Sequence, residues 1–407
     1  MINIIEKKDC CGCNACAQIC PKQCIVMSAD NEGFLYPQVN NTVCIDCGLC
    51  EKVCPVINQN APQEPLAVYA AKNIDEKIRL KSSSGGIFTL LAEQIISDGG
   101  VVFGARFNEK WEVIHDYTES VDGLEAYRGS KYVQSIIGDN YIKAKQFLSN
   151  GRKVLFSGTP CQIAGLKKFL RKDYENLLTI EVVCHGVPSP MVWQDYLDYK
   201  RAKRAAGKNT VSSCLNEIPV ITGISFRDKT NGWKKYGFKI SYAASMAVKN
   251  SVSKSAETNC EITPFNEDLF VRGFLNNLYL RPSCYHCAAR KGKSGADISI
   301  ADYWGVQTVH PEMDDDRGVG LILVNSKKGE SIFTDIKNAT NLTLSDYNKS
   351  IIYNPCIVKS VAVPKYRDEF WLQYEKSRIN SINHFCNKIK KTFVRRLYNK
   401  ILKYIKA

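Results

Sequence analysis

From Leu66 onward the apolar positions fall into short solid runs separated by longer amphipathic stretches, the pattern of strands alternating with helices. Leu66–Ala71 predicts a strand. Ile87, Leu90, Leu91 and Ile95 recur at helical spacing and predict a helix over Gly86–Ser97, entered through Ser82-Ser83-Ser84-Gly85-Gly86. Val101–Phe107 and Trp111–Tyr117 predict strands, and Tyr141–Leu148 predicts a helix. Val154–Phe156 predicts a buried strand leading into a helix over Pro160–Leu170. Leu177–Val183 and Met191–Lys203 repeat the strand–helix alternation. Ile221–Arg227 and Tyr236–Ser241 flank an Asn231-Gly232 turn, and Lys249–Asn259, rich in Ser, Lys and Thr, predicts an exposed loop. Ile298–Ala301 and Val319–Val324 return to the sheet. The expected fold class is α+β, with a larger α/β body on a mixed sheet over residues 66–340.

The first 57 residues follow another pattern. Ile25–Met27 and Phe34–Val39 predict short strands around an Asn31-Glu32-Gly33 turn, between two identical cysteine runs. The first run is Cys10, Cys13, Cys16, Cys20-Pro21 and the second is Cys44, Cys47, Cys50, Cys54-Pro55. Each reads C-x2-C-x2-C-x3-C-P, the spacing of bacterial two-cluster ferredoxins, in which the fourth cysteine of each run ligates the other run's 4Fe–4S cluster. Zinc sites take four ligands in two pairs and do not call for two identical quartets. Disulfides require an oxidising compartment. Cys11 and Cys24 fall out of phase with the runs and are expected to be bystanders. The polar, proline-containing piece Asn58–Pro65 marks a linker, so the expected organisation is a ferredoxin-like domain at 1–57, the body at 66–340 and a helical extension at 341–407.

Composition narrows the class. The chain has 44% apolar and 24% charged residues, as a globular protein does. Of 18 cysteines, ten lie in the first 54 residues, so the count describes a metal module. The first twenty residues hold no apolar signal core, and no run of about 18 apolar residues exists. A cytoplasmic location is therefore expected. Ten of the Lys and Arg residues behind the net charge of +14 lie between Lys376 and the end, where there is no Asp or Glu. The body is nearly neutral, which argues against nucleic-acid binding. Ile389, Phe393, Leu397, Ile401 and Ile405 recur every four residues among these basic positions. The result is a basic amphipathic helix that either lies at an anionic membrane face or docks on the body.

The remaining chemistry is less regular. Cys284 and Cys287 form a C-x2-C pair that reads equally as metal ligands or ordinary cysteines. Cys161 stands at the turn from a strand into a helix, where the helix dipole favours thiolate, and Cys184 ends a strand before His185. The Ser82–Gly86 segment suits a phosphate cradle or a plain helix cap. Lys131, in an otherwise uncharged Gly129–Ser135 run, is either solvated or set against an anionic cofactor. His185 and His286 read as structural or supporting groups beside cysteines, and Asp302 as a turn or cofactor-positioning carboxylate.

In this order SSSGGIF, GSKYVQS, SGTPCQI, CHGVPSP and RPSCYHC…ADISIADYWG resemble the beta subunit of coenzyme F-420-reducing hydrogenase and its relatives, over roughly Ala67–Gly305. The resemblance implies a flavin-binding body with FAD against Ser83, Ser84, Gly85, Gly86 and Lys131, and a third 4Fe–4S cluster on Cys161, Cys184, Cys284 and Cys287. It implies an oxidoreductase that passes electrons from the ferredoxin-type clusters through the third cluster and FAD to a small organic or deazaflavin-like acceptor. An electron donor or acceptor protein such as ferredoxin is the implied partner. Many bacterial members are encoded beside polysaccharide genes, so family membership does not name the substrate. The alternative is an electron-transfer subunit that serves a partner protein and has no substrate of its own.

Overall fold

The computed structural model describes residues 1–206, 219–243 and 259–391. The Lys249–Asn259 loop, up to residue 258, and the tail helix beyond residue 391 lie outside the described residues.

β1 (Ile25–Ala29) and β2 (Leu35–Val39) pair antiparallel with Ile25 opposite Val39. Asp30 closes their turn by accepting the N–H groups of Glu32 and Phe34. The body begins with β3 (Ala67–Asn73), followed by β4 (Val101–Phe107), β5 (Val113–Thr118), β6 (Val154–Gly158) and β7 (Leu177–Val182). β8 (Ile221–Asp228), β9 (Gly237–Tyr242) and β10 (Asn259–Pro264) form a separate antiparallel sheet in the order β10-β9-β8. β11 (Ile298–Asp302), β12 (Gly320–Val324) and β13 (Thr340–Leu344) complete the main sheet, whose eight strands run β13-β3-β12-β11-β7-β6-β4-β5. Its centre, β11-β7-β6-β4, is parallel, and the flanking pairs are antiparallel. Every residue of β6 and β12 is buried, which is why both read as solid apolar runs: strands covered on both faces need no polar side.

β10 and β13 are not apparent from hydrophobic pattern. Asn259–Pro264 and Thr340–Leu344 are mostly polar and lie at sheet edges, where one side of the strand faces water. They are strands because β9 and β3 offer them backbone partners, a tertiary effect that no local period records.

The cysteine-rich segment is packed into the body. Ala15 and Val53 are buried in one apolar cluster with Phe103, Phe156, Ile163 and Leu166. Gly165, on the Pro160–Leu170 helix, comes so near Cys13 that an added Cβ would lie 2.8 Å from the Cys13 Cβ. The Arg367 guanidinium grips the Glu32 carboxylate across 335 residues of sequence. The base of the C-terminal helix also docks on the body. Ile382 and Phe385 are buried with Phe370 and Tyr374, and Ile389 packs against the same cluster.

Candidate functional site: two thiol groups, a thiol-lined pocket and a cavity

The parallel strands end at one edge, where β6, β7 and β11 present their C-terminal residues, the usual place for a ligand in an open α/β sheet. β6 passes through Thr159 into the Pro160–Leu170 helix. Thr159 and Gln162 make a reciprocal capping box with Pro160 in the first turn, so Cys161 is fixed at the helix start. Cys184 follows β7 by two residues. Cys284 and Cys287 stand on and just after the 3-10 turn Pro282–His286. These four cysteines line one pocket of about 50 Å³. Burial raises the thiols of Cys184 and Cys284, Cys284 to about 12, and repulsion from Cys161 and Cys287 adds to it at both. The N–H of Val187 donates to the Cys284 sulfur at 3.4 Å. Arg290 donates to the carbonyls of Cys184 at 2.7 Å, of His185 at 3.0 Å, and of Cys356, while its buried Nε has no partner. A buried guanidinium N–H without an acceptor beside four thiols is what an acidic sulfur cluster would satisfy.

Two further cysteines line this pocket, Cys356 and Cys11. Cys11 and Cys161 are hydrogen-bond neighbours, which holds the thiol of Cys161 high along with burial. Cys11 falls outside the two-residue frame that Cys10 and Cys13 fit. Pro55 and Val56 line the pocket as well, so the residues next to Cys10 and Cys54 reach from the ferredoxin-like segment to the body.

Within that segment the eight cysteines divide in crossed fashion. Cys44, Cys47 and Cys50 line a small pocket with Cys20, the fourth cysteine of the other run, and with Cys24. Cys24 lies 3.4 Å from the sulfur of Cys20. Burial raises Cys16 to about 12, with repulsion from Cys10, Cys54 and Cys50 adding to it, and burial with repulsion from Cys16 and Cys54 raises Cys13. Left-handed backbone at Gly12, Asn14, Asp46 and Gly48 turns the loops tightly enough for this wrapping. The N–H groups of Asp46 and Ile2 point at the sulfurs of Cys44 and Cys50, at 3.4 and 3.3 Å. Among the described residues no three His, Cys, Asp or Glu side chains converge closely enough to chelate one ion. The thiols surround larger spaces.

Cys184, Gly186 and Cys356 also line a second, much larger cavity of about 670 Å³, a size typical of small-molecule and cofactor sites. Ser82–Thr89 and Arg128–Val133 form much of its wall, with the ends of β6 and β11. Ser83 accepts the N–H of Ser130 at 2.7 Å, tying the two loops together, and Ser84 donates to the Val319 carbonyl at 2.6 Å. Gly86 has φ +81°, and Gly85 is pressed on the backbone: a Cβ there would lie 2.2 Å from the Ala71 oxygen and 2.6 Å from the Gly320 nitrogen. Gly85→Ala is therefore expected to cost about 3 kcal/mol, at the upper end of overpacking, and to lower the thermal midpoint. A midpoint equal to wild type would contradict this packing.

Lys131 faces the cavity with, among the described residues, only the carbonyls of Arg128 and Gly129 as acceptors, at 3.3 and 3.1 Å. Desolvation lowers its ammonium to about 7. His115 is buried and neutral, lowered to about 4 by desolvation, and bridges the Ser157 carbonyl and the Ser135 hydroxyl. Asp302 holds Arg227 at 2.6 Å and accepts the Trp233 indole N–H at 3.1 Å. The Arg227 guanidinium sits over the rings of Tyr236 and Trp304, with its Nε unpartnered. His185 pairs with Asn277 at 2.6 Å and lies 3.7 Å from the Cys356 sulfur. His286 lines the thiol pocket.

A family model for the C-terminal part of the coenzyme F420 hydrogenase/dehydrogenase beta subunit matches residues 151–350, and one described as "4Fe-4S dicluster domain" matches residues 9–58. Over residues 151–350 the chain carries the C-terminal part of a coenzyme F420 hydrogenase/dehydrogenase beta subunit. To that family's body it joins a 4Fe–4S dicluster domain. One subunit of the F(420)H(2) dehydrogenase of Methanosarcina mazei is 25% identical over 193 residues, 44% of this chain and 54% of that protein. Coenzyme F420-dependent sulfite reductase of Methanocaldococcus jannaschii is 25% identical over 199 residues, 48% of this chain and 30% of that one. The chain thus spans about half, or less, of these curated relatives. A 7Fe ferredoxin of Hydrogenibacillus schlegelii is 38% identical over 64 residues, 15% of this chain and 76% of the ferredoxin. Among solved structures, a chain of the F420-reducing hydrogenase complex from Methanosarcina barkeri aligns with a TM-score of 0.46 at 15% identity, over 73% of this chain and 90% of that one. The chain is an iron–sulfur protein of an oxidoreductase lineage. Among its described residues no helix is long and apolar enough to cross a membrane.

Proposed function

We propose that the chain is an iron–sulfur flavoprotein oxidoreductase that takes electrons at its dicluster domain and delivers them to a small organic acceptor in the large cavity. The observation that carries this reading is the shared wall: Cys184 and Gly186 line both the thiol pocket and the cavity. In this reading Cys10, Cys13, Cys16 and Cys54 hold one 4Fe–4S cluster, and Cys44, Cys47, Cys50 and Cys20 hold the second. Cys161, Cys184, Cys284 and Cys287 hold a third between them and the cavity. A flavin such as FAD converts between the one-electron steps of clusters and the two-electron step of a hydride.

The residues around the cavity have defined duties. The start of the Ile87–Ser97 helix, with Gly85 and Gly86 before it, offers backbone N–H groups and a positive dipole to a phosphate. Lys131 supplies a cation with no carboxylate partner among the described residues, suited to an anionic ring or phosphate. Asp302, Tyr236 and Trp304 keep Arg227 fixed at the wall. Burial keeps His115 neutral and Ser135, itself held by Gln162, orients its ring, so it shapes the site and does not move protons at neutral pH.

Anaerobic purification with cofactor extraction tests the proposal. The expected result is about twelve irons per chain and a flavin band near roughly 450 nm. Full iron with no flavin would overturn it. The second reading, delivery of electrons to a partner protein without a substrate of its own, is favoured by the relative named as part of a dehydrogenase. A panel of acceptors separates the two, since a pure delivery subunit reduces none of them unaided.

A further inference from the structure

Arg281 is among the most deeply buried charged side chains of the protein, at 1% exposure. It lies three residues before Cys284 and reaches back to the first cysteine run. Its Nε donates to the Cys10 carbonyl at 2.7 Å, and Nη2 donates to the Leu35 carbonyl at 2.9 Å and to the Cys10 sulfur at 3.5 Å. Nη1 donates to the Gln134 side-chain oxygen at 3.0 Å. The Tyr36 ring lies 4.3 Å from the guanidinium carbon. Every acceptor it reaches is a carbonyl, an amide oxygen or a thiol, and no carboxylate pairs with it among the described residues. Gly12 leaves room for it: a Cβ there would come within 2.8 Å of Nη1.

A full positive charge in such a place is expensive unless a negative charge answers it. The acidic groups that it meets are the thiols of Cys10, Cys11 and Cys284 and the phenol of Tyr36. The Cys44–Cys50 pocket differs. Its lining carries two exposed cations, Lys22 and the Met1 ammonium, the latter paired with the exposed Asp46 at 3.0 Å, and Cys47 is open to water. Adding an electron to a cluster adds negative charge, which water stabilises at an exposed site and burial penalises at an inner one. Without compensation, electrons arriving at the exposed cluster would stall there.

We propose that Arg281 is the fixed counter-charge that raises the reduction potential of the buried cluster on Cys10, Cys13, Cys16 and Cys54, so that electrons entering at the exposed cluster move inward. This rests on the cluster assignment under the proposed function. Arg281 is thus a positioning residue. It touches a ligand, and it acts through charge rather than by exchanging electrons or protons.

The test is a redox titration of the anaerobic full-length protein followed by electron paramagnetic resonance. In Arg281→Gln one N-terminal midpoint is expected to shift to lower potential while the other holds, and Arg281→Lys is expected to restore most of the shift. Gln134→Glu gives an independent measurement, because it sets a carboxylate against Nη1 without deleting the arginine. It should lower the same midpoint even if the glutamine variant fails to fold. Unchanged midpoints in iron-replete Gln134→Glu protein would overturn the role of Arg281 alone. A wild-type chain purified without iron would overturn the cluster assignment with it.

Discussion

Replacing Cys284 with alanine is expected to remove one cluster's share of iron, about four of about twelve atoms, while the N-terminal pair remains. Cys284 stands half-buried in the thiol pocket between the dicluster segment and the cavity. The variant should therefore still take up electrons from dithionite at its N-terminal clusters and yet fail to pass them to the cavity. Iron analysis with single-turnover reduction, monitored separately at cluster and flavin wavelengths, reads both halves. A variant with undiminished iron would mean that the four body cysteines bind no cluster. One with two-thirds of the iron and normal flavin reduction would mean that electrons bypass them.

The second large effect concerns Lys131. Its ammonium is lowered to about 7 by desolvation, with no carboxylate among the described residues to offset it. An anion bound there favours the charged form. Below pH about 7 the free protein already carries the proton, and flavin affinity should be flat. Above it the lysine must take up a proton on binding, so affinity should fall about tenfold per pH unit. Lys131→Met should abolish this slope and cost roughly a hundredfold in affinity, the scale of a charge-assisted hydrogen bond in a sheltered site. Fluorescence titration of flavin-free protein across pH 6–9 (roughly two units above the midpoint) measures both. Equal slopes in the variant and the wild type would place the titrating group elsewhere.

How far these sites were legible beforehand depends on the kind of signal. The dicluster domain was readable because cluster ligation demands fixed cysteine spacing within each loop. The Val154–Phe156 strand and the Pro160 helix were readable because a doubly covered strand must be apolar and proline suits a first helical turn. Arg281 and Gln134 were not. Their duties are hydrogen bonds to Cys10 and Cys11, 271 and 123 residues away, and no period or motif records a contact that only the folded chain creates. The neighbour of Cys11 is Cys161, in the body, and the run of which it is part says nothing about that contact. Asp302 was open between a turn carboxylate and a cofactor-positioning group. The fold commits it to Arg227 and Trp233, whose positions depend on the β8–β9 sheet.

The clasp between Glu32 and Arg367, together with the hold of Arg281 on Cys10, has a consequence for biosynthesis. The cysteine runs leave the ribosome ahead of the body, and the two arginines that seat them are translated about 270 and 335 positions later. For most of that interval those thiols have no body to dock on. Maturation of the inner cluster into its final setting must therefore wait for nearly the whole body, and a chain arrested before Arg367 would present its iron-binding loops unseated to the cell's oxidants.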